Sequence, residues 1–263
     1  MDSDERVDFD LLEFAADLGR RAGDLTLRWF RRPDLAVDRK PDGTPVTVAD
    51  RSAEQLVRDA IADRFPDDAI AGEEQGDRPG SSGRRWIVDP IDGTKAFVRG
   101  VPLYATLIAL HDEKGPAVGV IRLPALGQTV AAARGQGCFL DGTPARVSGT
   151  ESLAGAYVST SDFGEWTDEM IAALRHQGTV LRTWGDGYGY ALVATGKIDA
   201  MVDCGIQPYD VAAMPVILAE AGGRFSDLDG AGRIDSGSSV ATNGRIHDGI
   251  LGALGTDPRP LPA

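Results

Sequence analysis

Two carboxylates three residues apart, Asp89 and Asp92, follow the apolar run Trp86-Ile87-Val88 and precede Gly93 and Thr94. Closely spaced carboxylates supply the several oxygen donors that a hard divalent cation requires. Pro90 cannot continue a strand ladder, so the strand is expected to end there and the chain to turn. Gly93 lets backbone approach a ligand closely, and free N–H groups at the start of a following helix attract phosphate. Metal ligands beside an anion cradle suggest metal-assisted phosphate chemistry. Taken alone, the segment also fits a strand end with acidic turn residues, because Asp, Pro and Gly favour turns for conformational reasons.

Three further acidic positions occur in settings suited to the same site. Glu73 lies in Ala71-Gly72-Glu73-Glu74, after a helix and the short apolar stretch Ala69-Ile70-Ala71. Asp50 ends a turn-rich stretch that leads into an amphipathic helix, and Asp210 opens a mostly apolar segment closing at Gly222-Gly223. Each has a purely structural alternative: a paired Glu fits a solvated loop, while Thr47 or Asp50, and Asp210, fit helix N-caps.

As an ordered set these stretches resemble the inositol monophosphatase family, magnesium-dependent phosphomonoesterases. The resemblance rests on Gly72-Glu73-Glu74, on the whole run from Trp86 to Thr94, on Tyr209-Asp210 and on Glu220-Ala221-Gly222-Gly223. Tyr209 stands where the family usually has Trp. The resemblance implies a layered αβαβα sandwich of the sugar-phosphatase type, with the active site between two halves. It implies Glu73, Asp89, Asp92 and Asp210 as ligands of two or three Mg²⁺ ions, with the carbonyl of Ile91 completing one shell. Thr94 and Asp50 would position or activate the attacking water, with Glu73 also serving catalysis, and a homodimer is expected.

Charge suggests the mechanism. A phosphate monoester dianion repels nucleophiles, and two cations ~3.5–4 Å apart can hold the attacking and leaving oxygens of an in-line displacement. Thr94, hydrogen-bonded to Asp50, would orient the hydroxide, and the amides of Gly93 and Thr94 would bind the phosphate. Within the family, the stretches from Asp92 to Pro102 and from Arg182 to Tyr188 are similar to those of bacterial histidinol-phosphatases, which act in histidine biosynthesis. Ala96 stands where that subgroup usually has Asn, and Asp203 where family members commonly use Glu to contact the alcohol. Histidinol phosphate carries an ammonium whose desolvation needs a carboxylate partner. Asp186 and Asp203 could supply it and Arg182 could contact substrate; a structural Asp186–Arg182 ion pair is the alternative. Competing readings are inositol monophosphate, fructose 1,6-bisphosphate or a 3′-phosphoadenosine nucleotide as substrate, or a non-catalytic binding or regulatory module on the same fold.

The elements that must hold these residues read as mixed α+β and α/β. With 263 residues, 42% of them hydrophobic, the chain can bury a sizeable core in one large unit or two packed ones. A net charge of −13 argues against nucleic acid and anionic membrane as partners, leaving a small phosphate ester. Cys138 and Cys204 form neither a disulfide framework nor a zinc spacing, and His111, His176 and His247 read as surface or capping residues. The acidic N-terminus lacks a signal-peptide pattern, so a cytoplasmic location is expected. Apolar spacing predicts helices over 8–31 and 47–64, then strands over 86–89, 104–111, 117–123 and 129–133. Beyond about residue 147 strands and helices alternate: strands at 157–160, 180–182, 198–202 and 240–242, helices at 165–176, 188–195 and 211–221 and in the tail. Residues 1–147 therefore read as an α+β half carrying most metal ligands, and 148–263 as an α/β half carrying Asp210 and the substrate-selecting residues. Pro215, inside the helix after Asp210, predicts a kink or a later start.

Overall fold

The computed structural model describes residues 6–255. Helix α1 (Phe9–Thr26) aligns Leu12, Ala15, Leu18 and Ala22 as one buried stripe and is capped by the Asp8 side chain. A hairpin of β1 (Val37–Arg39) and β2 (Pro45–Thr47) leads into α2 (Val48–Arg64). Next come β3 (Ala69–Gly72), β4 (Arg85–Asp92), the short α3 (Thr94–Val98) and β5 (Ala105–Asp112). The strands β6 (Gly115–Leu123), β7 (Gln128–Ala133), β8 (Gly137–Leu140) and β9 (Thr143–Pro144) follow. β3 to β9 form a seven-stranded sheet in sequence order, antiparallel except for the β3–β4 pair. α1 and α2 cover one face, burying Trp86, Val88, Ile108 and Val120.

The rest of the chain supplies β10 (Tyr157–Ser159), α4 (Asp168–His176), β11 (Val180–Arg182), α5 (Asp186–Ala194) and β12 (Ala200–Cys204). It continues through α6 (Pro208–Val211), α7 (Met214–Ala221), β13 (Arg224–Ser226), β14 (Ser238–Thr242) and α8 (His247–Leu254). The second sheet has the order β11-β10-β12-β14-β13, parallel over its first three strands and antiparallel beyond. α5 and α7 lie between the sheets: Tyr190, Val193, Ile217 and Leu218 join one core with Leu107 and Ile121 of the first sheet and Met201 and Ala241 of the second. α4 and α8 cover the far face through Leu174 and Ile250. The layering is the αβαβα sandwich that the resemblance implies. Its middle layer sits tightly: a Cβ at Gly119 would lie 2.4 Å from the Ala213 carbonyl, so only glycine lets the α6–α7 junction rest on β6.

Several local expectations are corrected. Pro90 does not end its strand; β4 runs on to Asp92 through a bulge. α1 stops at Thr26, and residues 27–31 are turns. The segment after Asp210 is two helices with a break at Ala212-Ala213, and Pro215 falls in the first turn of α7, where proline needs no N–H partner. His247 is no surface residue: it is fully buried, bonded to Ser226 and Thr242. The β1–β2 hairpin carried no alternating apolar signal, as β1 is exposed at every residue.

Candidate active site

The geometry of the site begins with an irregularity in β4. Along a regular strand, residues three apart face opposite sides of the sheet. Asp89 pairs with Leu107 but Asp92 pairs with Ala105, so three steps on β4 oppose two on β5. The extra residue restores a common side for the two carboxylates. Pro90 suits the bulge because it has no N–H to leave unpaired. Its carbonyl accepts from Thr106 Oγ1 at 2.8 Å, and Asp89 Oδ1 accepts from the Ile91 N–H at 3.0 Å.

Asp210 arrives from the other half of the chain. It is the third residue of α6, and its Oδ2 accepts the Gln207 N–H at 2.7 Å, an N-terminal cap that also orients the carboxylate. One oxygen each from Asp89, Asp92 and Asp210 lie within 4.8 Å of one another. Asp92 and Asp210 line a cavity of about 670 Å³, and Asp89 is buried beside them. Burial, reinforced by the neighbouring carboxylates, raises Asp89 and Asp92 well above the ordinary carboxylate range and pushes Asp210 up to about 7. Three anions so close, two of them buried, repel one another unless protons or a cation stand between them.

Glu73 joins the same cavity from the end of β3, and its charge contributes to raising Asp89, Asp92 and Asp210. Its backbone N–H bonds the Val88 carbonyl at 3.2 Å, which ties it to β4. Lys40, from the loop after β1, sets its ammonium 2.6 Å from Glu73 Oε1 and 2.7 Å from Glu74 Oε1. Sequence reasoning assigned no role to Lys40, whose partners lie more than thirty residues away along the chain.

Thr94 and Asp50 are arranged differently from expectation. Thr94 Oγ1 donates to the Ile91 carbonyl at 2.9 Å rather than to Asp50. Asp50 Oδ2 accepts both the N–H and the hydroxyl of Thr47, closing the capping box of α2, while its buried Oδ1 has no hydrogen-bond partner. Burial raises the Asp50 carboxyl above its ordinary value. Thr47 is the N-cap, as the structural alternative had it, and the orphaned oxygen leaves Asp50 with spare acceptor capacity. Gly93 takes a left-handed φ of 83° and begins α3.

Of the three residues expected to select substrate, Asp186 and Asp203 line the cavity and Arg182 does not. Asp186, the first residue of α5, lines the cavity with its carboxylate against Gly93: a Cβ on Gly93 would lie 2.6 Å from Asp186 Oδ2. Burial, with the Asp203 charge, pushes its carboxyl up to about 6. The next N–H, of Gly187, donates to Asp92 Oδ2, so the start of α5 is anchored to the acidic cluster. Asp203 lines the same cavity. It is only 2% exposed, and its two oxygens accept from Thr160, the N–H and hydroxyl of Ser161, and Tyr190, leaving little capacity for a ligand. Arg182 is corrected: its guanidinium lies over the rings of Tyr157 and Trp184 at 5.5 and 5.7 Å, away from the cavity lining, and among the described residues it forms no ion pair with Asp186.

The donor set consists of the carboxylates of Asp89, Asp92 and Asp210, with neither His nor Cys in the cluster. Such hard oxygen donors fit Mg²⁺ or a similar cation rather than zinc. The mutual repulsion of the buried acids is the physical demand that a cation would meet.

Comparison with known proteins agrees with this geometry. The profile of the inositol monophosphatase family matches residues 9–257. The chain is 42% identical over 253 residues to a histidinol-phosphatase of Chlorobaculum parvum, covering 94% of this chain and 98% of that one. It is 43% identical over 254 residues to a histidinol-phosphatase of Mycobacterium tuberculosis, covering 93% and 98%. Among solved structures, the IMPase of Thermotoga maritima superposes with a TM-score of 0.85 at 33% identity, covering 93% of this chain and 96% of its own.

Proposed function

The chain belongs to the inositol monophosphatase family, and from that premise we propose that it is a phosphoric monoester hydrolase acting on L-histidinol phosphate, releasing histidinol and inorganic phosphate. The observation that carries the hydrolase is the convergence of Asp89, Asp92 and Asp210, whose carboxylate oxygens lie within 4.8 Å of one another at a cavity lined by Asp92 and Asp210. The substrate rests on relatives of that name at 38–43% identity over almost the whole chain, and on Asp186 facing the same cavity.

In this reading Glu73, Asp89, Asp92, Asp210 and the Ile91 carbonyl would hold two or three Mg²⁺ ions. When bound, such ions would supply charge neutralisation for the phosphate and a lowered pKa for a bound water. The N–H groups of Gly93 and Thr94 bind the phosphate. Thr94 orients the nucleophilic water, and Asp50, with its unpartnered Oδ1, accepts from the Thr94 hydroxyl once that hydroxyl turns away from the Ile91 carbonyl. Asp186 pairs with the substrate ammonium, which a buried carboxylate can do where water has been excluded. Residues 1–147 thus supply most of the cage, while 148–263 supply Asp210 and the selecting side chain. A cytoplasmic homodimer belongs to the same reading, and light scattering at twice the monomer mass would support it. Among the described residues no helix is long and apolar enough to cross a membrane.

Phosphate release from histidinol phosphate and from inositol phosphate, each with Mg²⁺, tests the substrate; far better turnover of inositol phosphate would overturn it. Asp186→Asn sharpens the test. Removing one partner of a buried charge pair costs 2–5 kcal/mol, so kcat/KM for histidinol phosphate is expected to fall about 10²-fold. An ester without an ammonium should lose far less, and equal losses on both would refute the assignment.

A further inference from the structure

Glu54 is a buried acid to which neither the capping of α2 nor the chemistry above gives a role. It lies on the face of α2 that also carries Asp50, one turn earlier, and Arg58, one turn later. Its Oε1 accepts from Arg58 Nε at 2.8 Å and from the Gln75 N–H at 3.0 Å, and its Oε2 accepts the Glu74 N–H at 2.7 Å. Arg58 Nη2 donates in turn to the Gln75 carbonyl at 2.8 Å. The ion pair therefore grips the main chain immediately after Glu73 through two donors and one acceptor. The Glu54 carboxylate also lies flat on Gly72, where a Cβ would come within 2.3 Å of it.

A buried ion pair is often no more stabilising than an apolar pair of equal volume, so stability alone is a weak reason for one here. Loop 73–75 has left the sheet after β3 and needs other partners for its backbone. Glu73 is thus held on both sides, by Val88 before its Cα and by the Glu54–Arg58 pair after it.

We propose that Glu54, oriented by Arg58, is a positioning residue that fixes the backbone presenting Glu73 to the cation site. The assignment rests on reading Glu73 as a ligand, so its test contains a control for that reading. Mn²⁺ binding to the full-length protein is measured by calorimetry for wild type, Asp92→Asn and Glu54→Gln, with circular dichroism to verify folding. Partners behind a metal ligand typically govern 10–100-fold in affinity, and Glu54→Gln is expected to weaken Mn²⁺ binding by about that factor. The Mg²⁺ concentration for half-maximal turnover should rise in parallel, with kcat recovering at saturating Mg²⁺. A folded Glu54→Gln protein that binds Mn²⁺ as wild type does overturns the proposal. Should that variant fail to fold, Arg58→Lys, which keeps the charge but loses the reach to Gln75, takes its place under the same criterion. Absence of binding to wild type, or unaltered binding to Asp92→Asn, would instead overturn the cation site itself.

Discussion

Asp92→Asn is expected to lower turnover by about 10³–10⁴-fold, because the cation site contributes several kcal/mol of transition-state stabilisation and each 1.36 kcal/mol is tenfold in rate. The fold should survive. Asn is nearly isosteric, and its carbonyl oxygen can still accept the Gly187 N–H that Asp92 Oδ2 accepts. Metal-free Asp92→Asn should be at least as stable as metal-free wild type, since one charge leaves a crowd of buried anions. Stabilisation by added Mg²⁺ should shrink at the same time, because only what binds the native state stabilises it. Steady-state kinetics and thermal melts with and without Mg²⁺ check all three. Retained turnover would remove Asp92 from the site, and a collapsed melt would make it a structural residue.

The second expectation concerns pH. Carboxylates in an unfolded chain titrate near 4. In the folded, metal-free protein burial holds Asp210 up to about 7 and Asp186 to about 6, with Asp89 and Asp92 also well above the ordinary range. Between these limits the folded state binds more protons than the unfolded state, so stability falls as pH rises. The contribution is fully present below about pH 4 and is lost as pH passes about 7. A shift of one pKa unit is ~1.4 kcal/mol, so the cluster is worth on the order of a few kcal/mol. In the presence of a chelator, Tm at pH 8 should lie about 5–10 °C below that at pH 5.5. Mg²⁺ should abolish most of that slope, because the cation replaces the protons and favours the ionised acids. A chelated protein that grows more stable from pH 5.5 to 8 would contradict the acidic cage.

Residues whose role is declared by local chemistry could be read from the chain, whereas those defined by distant partners could not. Asp89 and Asp92 flank Pro90 beside glycine and threonine, and the company of Glu73 and Asp210 is what set the segment apart from an acidic turn. The alternation of strands and helices after residue 147 likewise indicated an α/β unit, and β10, β11 and β12 run parallel within its five-stranded mixed sheet. Pro215 signalled a break that the structure places between α6 and α7. Glu54 and Arg58 went unread because two opposite charges four apart on a helix also describe an exposed pair. Their burial depends on loop 73–75 folding over them, about twenty residues away in sequence. Asp203 shows the converse: it lines the cavity, yet nothing in the sequence signals that Ser161 and Tyr190 also hydrogen-bond its oxygens. Arg182 resembled a ligand-binding cation and proved to be stacked on two aromatic rings that no spacing rule connects.

The bulge in β4 makes function depend on the parity of a residue count. With Asp89 and Asp92 opposite Leu107 and Ala105, one residue added to β5 between Ala105 and Leu107 would leave every acid in the chain and let three steps oppose three in an even pleat. One of the two carboxylates would then turn to the other side of the sheet, where Trp86 and Val88 pack beneath α1 and α2. A charge there would meet only hydrocarbon. Insertions and deletions that surface loops absorb silently are thus forbidden at this one point of the central sheet, however completely the residue types are preserved.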